Sequence, residues 1–299
     1  MLMARLVGRA LGWLRRNVEG FLALAIAVTF LVLGVLDVYG ADSSVVNSAI
    51  LLTLALLAAT LLRDRETSKK ALEAISSARL VSGSEVAQVR AEARRHTDRW
   101  VFKGGTGAAL RAETLPEFAK MAREEQRTLD LKLEVIDPSN ELLCEEYAQV
   151  LASQNPADST PWTADRVRQE VYATLLAAFR ENRQVKYLKV EVRLSQLVST
   201  LRWELSDATV IMAEPSGPAM VFKKDSPYYA TCKRELTVSF DQARPVPLDA
   251  AKDQPFSDPP SEEEIRELFR ALTVELPSSQ DSKTIAAIGK AAGIKIEEY

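Results

Sequence analysis

The chain has 299 residues, with 38 Lys and Arg against 41 Asp and Glu and a formal net charge of −3. That weakly acidic balance gives no electrostatic basis for general nucleic-acid binding, and no nucleic-acid partner is expected. One histidine, His96, and two distant cysteines, Cys144 and Cys232, exclude His-rich or paired-cysteine metal sites. No metal and no cofactor is expected, and both thiols are read as reduced and structural.

Residues 1–17 read as a basic amphipathic segment. Arg5, Arg9 and Arg16 share one stripe of a helix, and Leu2, Leu6, Ala10 and Trp13 another. Residues 18–63 hold two uncharged apolar runs, Gly20–Leu36 and Val45–Leu62, split by Asp37–Ser44. Each run is about 18 residues, roughly 26 Å as a helix, which matches the hydrocarbon core of a bilayer. Arginines precede the first run, Arg63, Arg65, Lys69 and Lys70 follow the second, and the link between them has neither Lys nor Arg. The expectation is a transmembrane hairpin with both termini cytoplasmic, in a multi-pass protein of the plasma or inner membrane. Homo-oligomers are among the expected assemblies.

Residues 64–98 read as a helical stalk, with a break at Val81–Glu85 and Ser84 as a cap. Residues 99–243 read as a cytosolic α/β domain. Arg99–Lys103 is a strand, Gly104-Gly105-Thr106-Gly107 a turn, and Ala108–Arg127 a helix restarting near Leu115 because of Pro116. Leu129–Ile136 alternates as a strand and ends at Asp137-Pro138. A helix then runs through Leu142–Leu151, a longer one follows Thr163, and Tyr187–Leu194 is the next strand. Leu197–Leu205 is read as helical, anchored by Trp203. Thr209–Ala213 and Ala219–Lys223 form a hairpin, and Arg234–Phe240 a last strand. Residues 244–260 read as a Pro- and Asp-rich linker. Residues 261–299 read as a small helical tail, opened by the S-x-x-E capping box of Ser261 and Glu264. No internal repeat is evident. The fold expectation is a three-layer α/β domain on a mixed sheet, behind the two-helix hairpin.

Three places suit an anionic ligand. Lys103, Gly104, Gly105, Thr106 and Gly107 join a strand to a helix, where backbone N–H groups can approach a phosphate. They match neither the P-loop nor the dinucleotide fingerprint. Asp137 stands at the carboxyl end of a strand, where α/β proteins hold ligands, though an Asp-Pro turn that caps the next helix is the commoner use of such a residue. Asp207 and Lys223 flank the hairpin and converge on the same ligand if the hairpin folds over the loop. No catalytic residue is assigned.

From Trp100 to Phe240, the glycine-rich start, the strand ending at Ile136-Asp137-Pro138 and the late Ser206–Lys223 hairpin resemble a phospholipase D-like domain in layout. That family's motif is H-x-K-x-x-x-x-D, and here His96 is followed by Thr97 and Asp98. The resemblance therefore implies a domain without the phosphodiesterase chemistry that keeps an anion pocket. The functional expectation is a non-catalytic protein binding a ligand or partner. Its alternatives are an enzyme acting on phosphoesters or lipid headgroups, which needs Lys103, Asp137 and Lys223 in one pocket, and a scaffold for protein partners.

Overall fold

The computed structural model describes residues 78–294, apart from 155–159, 215–216, 275 and 277–280, together with helical positions 54, 57, 60, 61, 63–65 and 68. The chain divides into two compact units, Met1–Ser76 and Ser77–Tyr299. The expected 1–17 segment and nearly all of the expected 18–63 hairpin lie outside the described residues. Among the described residues, no helix is long and apolar enough to cross a membrane. The longest, Ala164–Gln184, has the length but carries Asp165, Arg166, Arg168, Glu170, Arg180, Glu181 and Arg183. The transmembrane hairpin, the multi-pass membrane location and the membrane partner are corrected on that finding and are not carried further.

The second unit is built on a mixed eight-stranded sheet. Its strands are β1 (Ala78–Val81), β2 (Arg99–Lys103), β3 (Leu129–Ile136), β4 (Leu188–Ser195), β5 (Arg202–Leu205), β6 (Thr209–Ala213), β7 (Ala219–Lys223) and β8 (Arg244–Val246). Their spatial order is β1-β7-β6-β5-β2-β3-β4-β8. Strands β2, β3 and β4 are parallel, with Trp100, Leu131 and Val190 abreast, and every other pairing is antiparallel. The helices are α1 (Ser84–Arg95), α2 (Leu115–Glu125, entered through a wide turn at Leu110–Thr114), α3 (Glu141–Gln154), α4 (Ala164–Gln184), α5 (Pro227–Gln242), α6 (Glu262–Ala271) and α7 (Ser282–Ala291).

Side-chain alternation along the strands assigns the layers. Trp100, Phe102, Leu131, Leu133 and Val192 point to the face covered by Phe118 of α2, Tyr147 of α3 and Leu175 of α4. On the same face α1 seals the β6–β7 end, where Val86 meets Ile211, Ala213 and Val221. Val101, Leu205, Val210 and Phe222 point the other way, under Tyr229 and Leu236 of α5. The sheet therefore carries helices on both faces. The main cluster contains about 40 apolar side chains buried together, and its Val, Leu, Ile and Phe members are each worth roughly 1.5–3 kcal/mol on removal from water.

Four expectations are corrected here. From Ala78 onward the stalk is not a separate element: Ala78–Val81 is an edge strand paired with β7, and α1 packs on the sheet, while most of 64–77 lies outside the described residues. Leu197–Leu205 is not helical, because Trp203 and Leu205 alternate with Arg202 and Glu204 and pair with β6 around the Ser206–Ala208 turn. Arg234–Phe240 is not a strand but the second half of α5. Ser226 caps that helix through its side chain, Pro227 opens it, and Leu236 and Phe240 are buried one turn apart. The 244–260 stretch begins as β8, and Leu248 and Ala251 are buried, so it is part of the domain rather than a free linker.

The tail also joins the core, and it contains a repeat that hydropathy alone hides. Ile265, Leu268, Leu272 and Val274 recur as Ile285, Ile288, Ala292 and Ile294, twenty residues later in each case, and all eight are buried. Each copy opens on a side-chain cap, Ser261 accepting from the Glu264 N–H and Asp281 from the Thr284 N–H. The capping box expected at Ser261 is complete, since Glu264 accepts in return from the Ser261 N–H. Each copy closes on a left-handed residue, Thr273 at φ 57° and Gly293 at φ 71°. The matching closing bonds run from Val274 N–H to Phe269 O and from Ile294 N–H to Gly289 O. Phe269 of the first copy meets Tyr172 of α4 edge-on at 5.2 Å.

Candidate functional site

The parallel strands end at one edge of the sheet, and three segments converge there. The first is the Gly104–Gly107 turn leaving β2. Gly104 N–H donates to Glu134 O, and Ile136 N–H donates to Gly105 O, so the turn continues the ladder beyond the end of β2. The second is α3, which presents Tyr147 and Leu151. The third is the 196–201 connection, which carries the chain from β4 past β3 and β2 to β5 on the far side of β2. Between them lies a cavity of about 180 Å³, lined by the turn, Phe102, Ala108, Ala109, Tyr147, Leu151, Trp162, Ser199, Leu201 and Arg202. This is the crevice at strand carboxyl ends where open α/β sheets place ligands.

The glycines are explained by their neighbours. A Cβ on Gly105 would lie 1.8 Å from the Tyr147 ring, and one on Gly104 would lie 2.8 Å from the Phe102 ring. Gly107 has φ 74°, and a Cβ there would press on Thr174 at 2.8 Å. Thr174 in turn donates its hydroxyl to Thr106 O at 2.8 Å. Glycine is thus required so that aromatic rings can pack against the backbone, which makes the turn a wall of the cavity. Burial pushes the Tyr147 hydroxyl up to about 12, with Arg202 and the Gly105 backbone acting weakly in the opposite direction.

Among the described residues, Arg202 is the one charged side chain lining the cavity. It is 12% exposed. Its neighbour on the same strand face, Glu204, lies 3.7 Å from Arg202 Nε but only 2.6 Å from Arg90 Nε of α1. Arg202 Nε has no hydrogen-bond partner, and neither does Trp162 Nε1. Burial draws the Arg202 pKa below the usual arginine value, while Glu204 pulls it back up. Both nitrogens are enclosed by protein, and unsatisfied N–H groups in such positions are unusual. Arg166 stacks on the outer Trp162 ring at 3.8 Å and holds the indole in place.

The eight residues singled out in the sequence do not assemble. Gly104, Gly105, Thr106 and Gly107 line the cavity. Lys103 points to the opposite sheet face, donates to Ser239 of α5 and lies 3.4 Å from Glu134. Asp137 is 1% exposed and fully engaged. One oxygen accepts from the Ser139 N–H and hydroxyl, and the other from Gln196 and both Arg244 Nε and Nη2. Burial alone would raise its pKa, but the Ser139 hydroxyl, Arg244 and the Ser139 N–H outweigh it and hold the carboxyl below its usual value. Asp207 accepts from Thr97 and Asp98 N–H at the base of the β5–β6 turn. Lys223 is exposed at the end of β7, opposite Thr209.

The residues that sequence reasoning missed are Tyr147, Trp162 and Arg202. Tyr147 was legible only as a core residue of its helix. Arg202 was hidden by the helical reading of 197–205, although Leu201–Leu205 followed by Ser206-Asp207-Ala208 has the alternation of a strand entering a hairpin. Among the described residues, no group of three or more His, Cys, Asp or Glu side chains is placed to hold a metal ion. Cys144 and Cys232 are free, and burial pushes the Cys144 thiol up to about 11.

No family model matches the chain, and no curated protein matches it. A solved structure of TrmBL2, described as an archaeal chromatin protein with a novel mode of DNA binding, is similar at 12% identity. The likeness covers 69% of this chain and 72% of that one, with a TM-score of 0.33. At that score it carries no argument about fold or ligand.

Proposed function

We propose that the second unit is a small-molecule-binding domain whose site is the cavity between the Gly104–Gly107 turn and Arg202. The observation that carries this reading is Arg202, a cation lining the cavity whose ion-pair partner among the described residues, Glu204, lies 3.7 Å away and only 2.6 Å from Arg90. A largely buried charge without a close partner is costly, so a ligand whose acceptor reaches the Arg202 guanidinium gains from binding there. The reading is non-catalytic. Among the described residues, the lining holds no His, Cys or carboxylate, and the Ser199 hydroxyl is spent on Leu201 O at 2.5 Å. The alternative of a phosphoester enzyme needs Lys103, Asp137 and Lys223 together, and each has separate surroundings.

The test is thermal unfolding of the full chain against a broad panel of acids, nucleotides, sugars and amines. Specific binding at 100 times Kd adds roughly 2.7 kcal/mol. The expected result is a shift for at least one compound that is lost in Ser199→Trp, whose indole occupies the cavity. A shift that Ser199→Trp leaves intact places binding elsewhere and rejects this site.

A further inference from the structure

We infer that the ligand of this cavity is a small monoanionic acid with an apolar body, its oxyanion on Arg202 and its body against Phe102, Leu151, Trp162 and Leu201. The inference rests on the binding reading above and adds the ligand's chemical class.

Charge comes first. Glu204 is shared between two arginines and lies closer to Arg90, so Arg202 is left with a distant counter-ion. A buried cation in that condition favours an anion that accepts directly from it, and carboxylates match guanidinium geometry. A single cation suits a single negative charge. A di- or triphosphate would bring charges that no other lining residue meets.

The turn argues against phosphate as well. A phosphate cradle needs free backbone N–H groups and open space beside glycine. Here Gly104 N–H is spent on Glu134 O, and Ala108 N–H faces the Thr106 hydroxyl at 3.4 Å. The space beside Gly104 and Gly105 is filled by the rings of Phe102 and Tyr147. Backbone approach to an anion is therefore blocked at Gly104 and Gly105.

Size and lining complete the argument. A volume of about 180 Å³ lies below the roughly 300–1,000 Å³ of drug-sized sites, which leaves room for one ring or a short branched chain. Most of the wall is apolar: Phe102, Ala108, Ala109, Leu151, Leu201 and the Trp162 ring.

The experiment is isothermal titration of the full chain at neutral pH with benzoate, benzamide, inorganic phosphate and adenosine monophosphate. Benzoate and benzamide share a shape and differ in charge. The expected result is benzoate binding at least tenfold tighter than benzamide, phosphate or the nucleotide, with Ser199→Trp abolishing it. Arg202→Gln is expected to erase the preference for benzoate over benzamide. The wild-type comparison decides the matter even if that variant fails to fold. Benzamide binding as tightly as benzoate overturns the inference, as does absence of benzoate binding or a preference for phosphate or the nucleotide. The wider panel with Ser199→Trp then tells separately whether the cavity binds anything at all.

Discussion

At the scale of single residues, two polar and backbone features found in the sequence turn out to be structural. Gly105 exists because Tyr147 needs its space. Gly105→Ala is expected to lower stability by about 3 kcal/mol in urea unfolding, at the upper end of overpacking costs, since a ring cannot yield nearly 2 Å. Combined with Tyr147→Ala, the loss should be well below the sum of the two single losses, because the substitutions remove the same clash. Asp137 ties the ends of β3, β4 and β8 through Ser139, Gln196 and Arg244. Its Arg244 partner is 35% exposed, so Asp137→Asn is expected to cost about 2–3 kcal/mol, short of the ~3–5 of a wholly buried pair. The folded carboxyl titrates below the usual value of 3.8. The contribution is therefore present in full well above pH 3.8 and is lost as pH falls through the folded pKa. Urea midpoints measured from neutral pH down to about pH 2 should fall less steeply in Asp137→Asn than in the parent. An unchanged slope would remove Asp137 from the acid response.

At the scale of elements, local signals located what is short-range and lost what depends on pairing. The strand at Leu129–Ile136, the restart of α2 at Leu115 beside Pro116 and the Ser261 capping box were legible because each is written within a few residues. The 202–205 strand was lost because its alternation spans only Leu201–Leu205, too short to outweigh the helical reading without its partner β6. The α5 segment was lost because Arg234–Phe240 alternates locally, while its cap and buried positions extend back to Ser226. The tail repeat was lost because capping Ser261 and Asp281, and closing Thr273 and Gly293, match in role rather than in identity. That equivalence makes a paired prediction. Thr273 holds a left-handed conformation that a β-branched residue resists, so Thr273→Gly should stabilise by about 0.5–1 kcal/mol. Gly293→Ala should destabilise by about 1 kcal/mol for the converse reason. Chemical denaturation of the two variants side by side checks the signs, and equal signs would contradict the repeat.

At the scale of the molecule, the α/β class was legible from alternating strand and helix patterns, and the sheet is mixed with helices on both faces. The domain boundaries were not legible, because composition marks 244–260 as a linker although Val246, Leu248 and Ala251 are buried. The helices beyond it supply Ile265, Leu268, Phe269 and Ile288 to the same core that α4 anchors. Removal of 261–299 is therefore expected to leave no cooperative unfolding transition for the remaining domain, since each of these large apolar side chains is worth about 1.5–3 kcal/mol. A truncated chain with a sharp transition near the parent's midpoint would restore the separate-tail view. The site follows the same logic. The glycine turn was visible in the sequence, but its partners come from α3, β5 and the segment before α4, which only the sheet order brings together.

The most direct test of the account is amide hydrogen exchange of the full chain with and without saturating benzoate. The cavity reading predicts added protection at 104–109, 147–151 and 199–202, with little change on the α5 face of the sheet. Protection confined to other segments, or none at saturation, would contradict it.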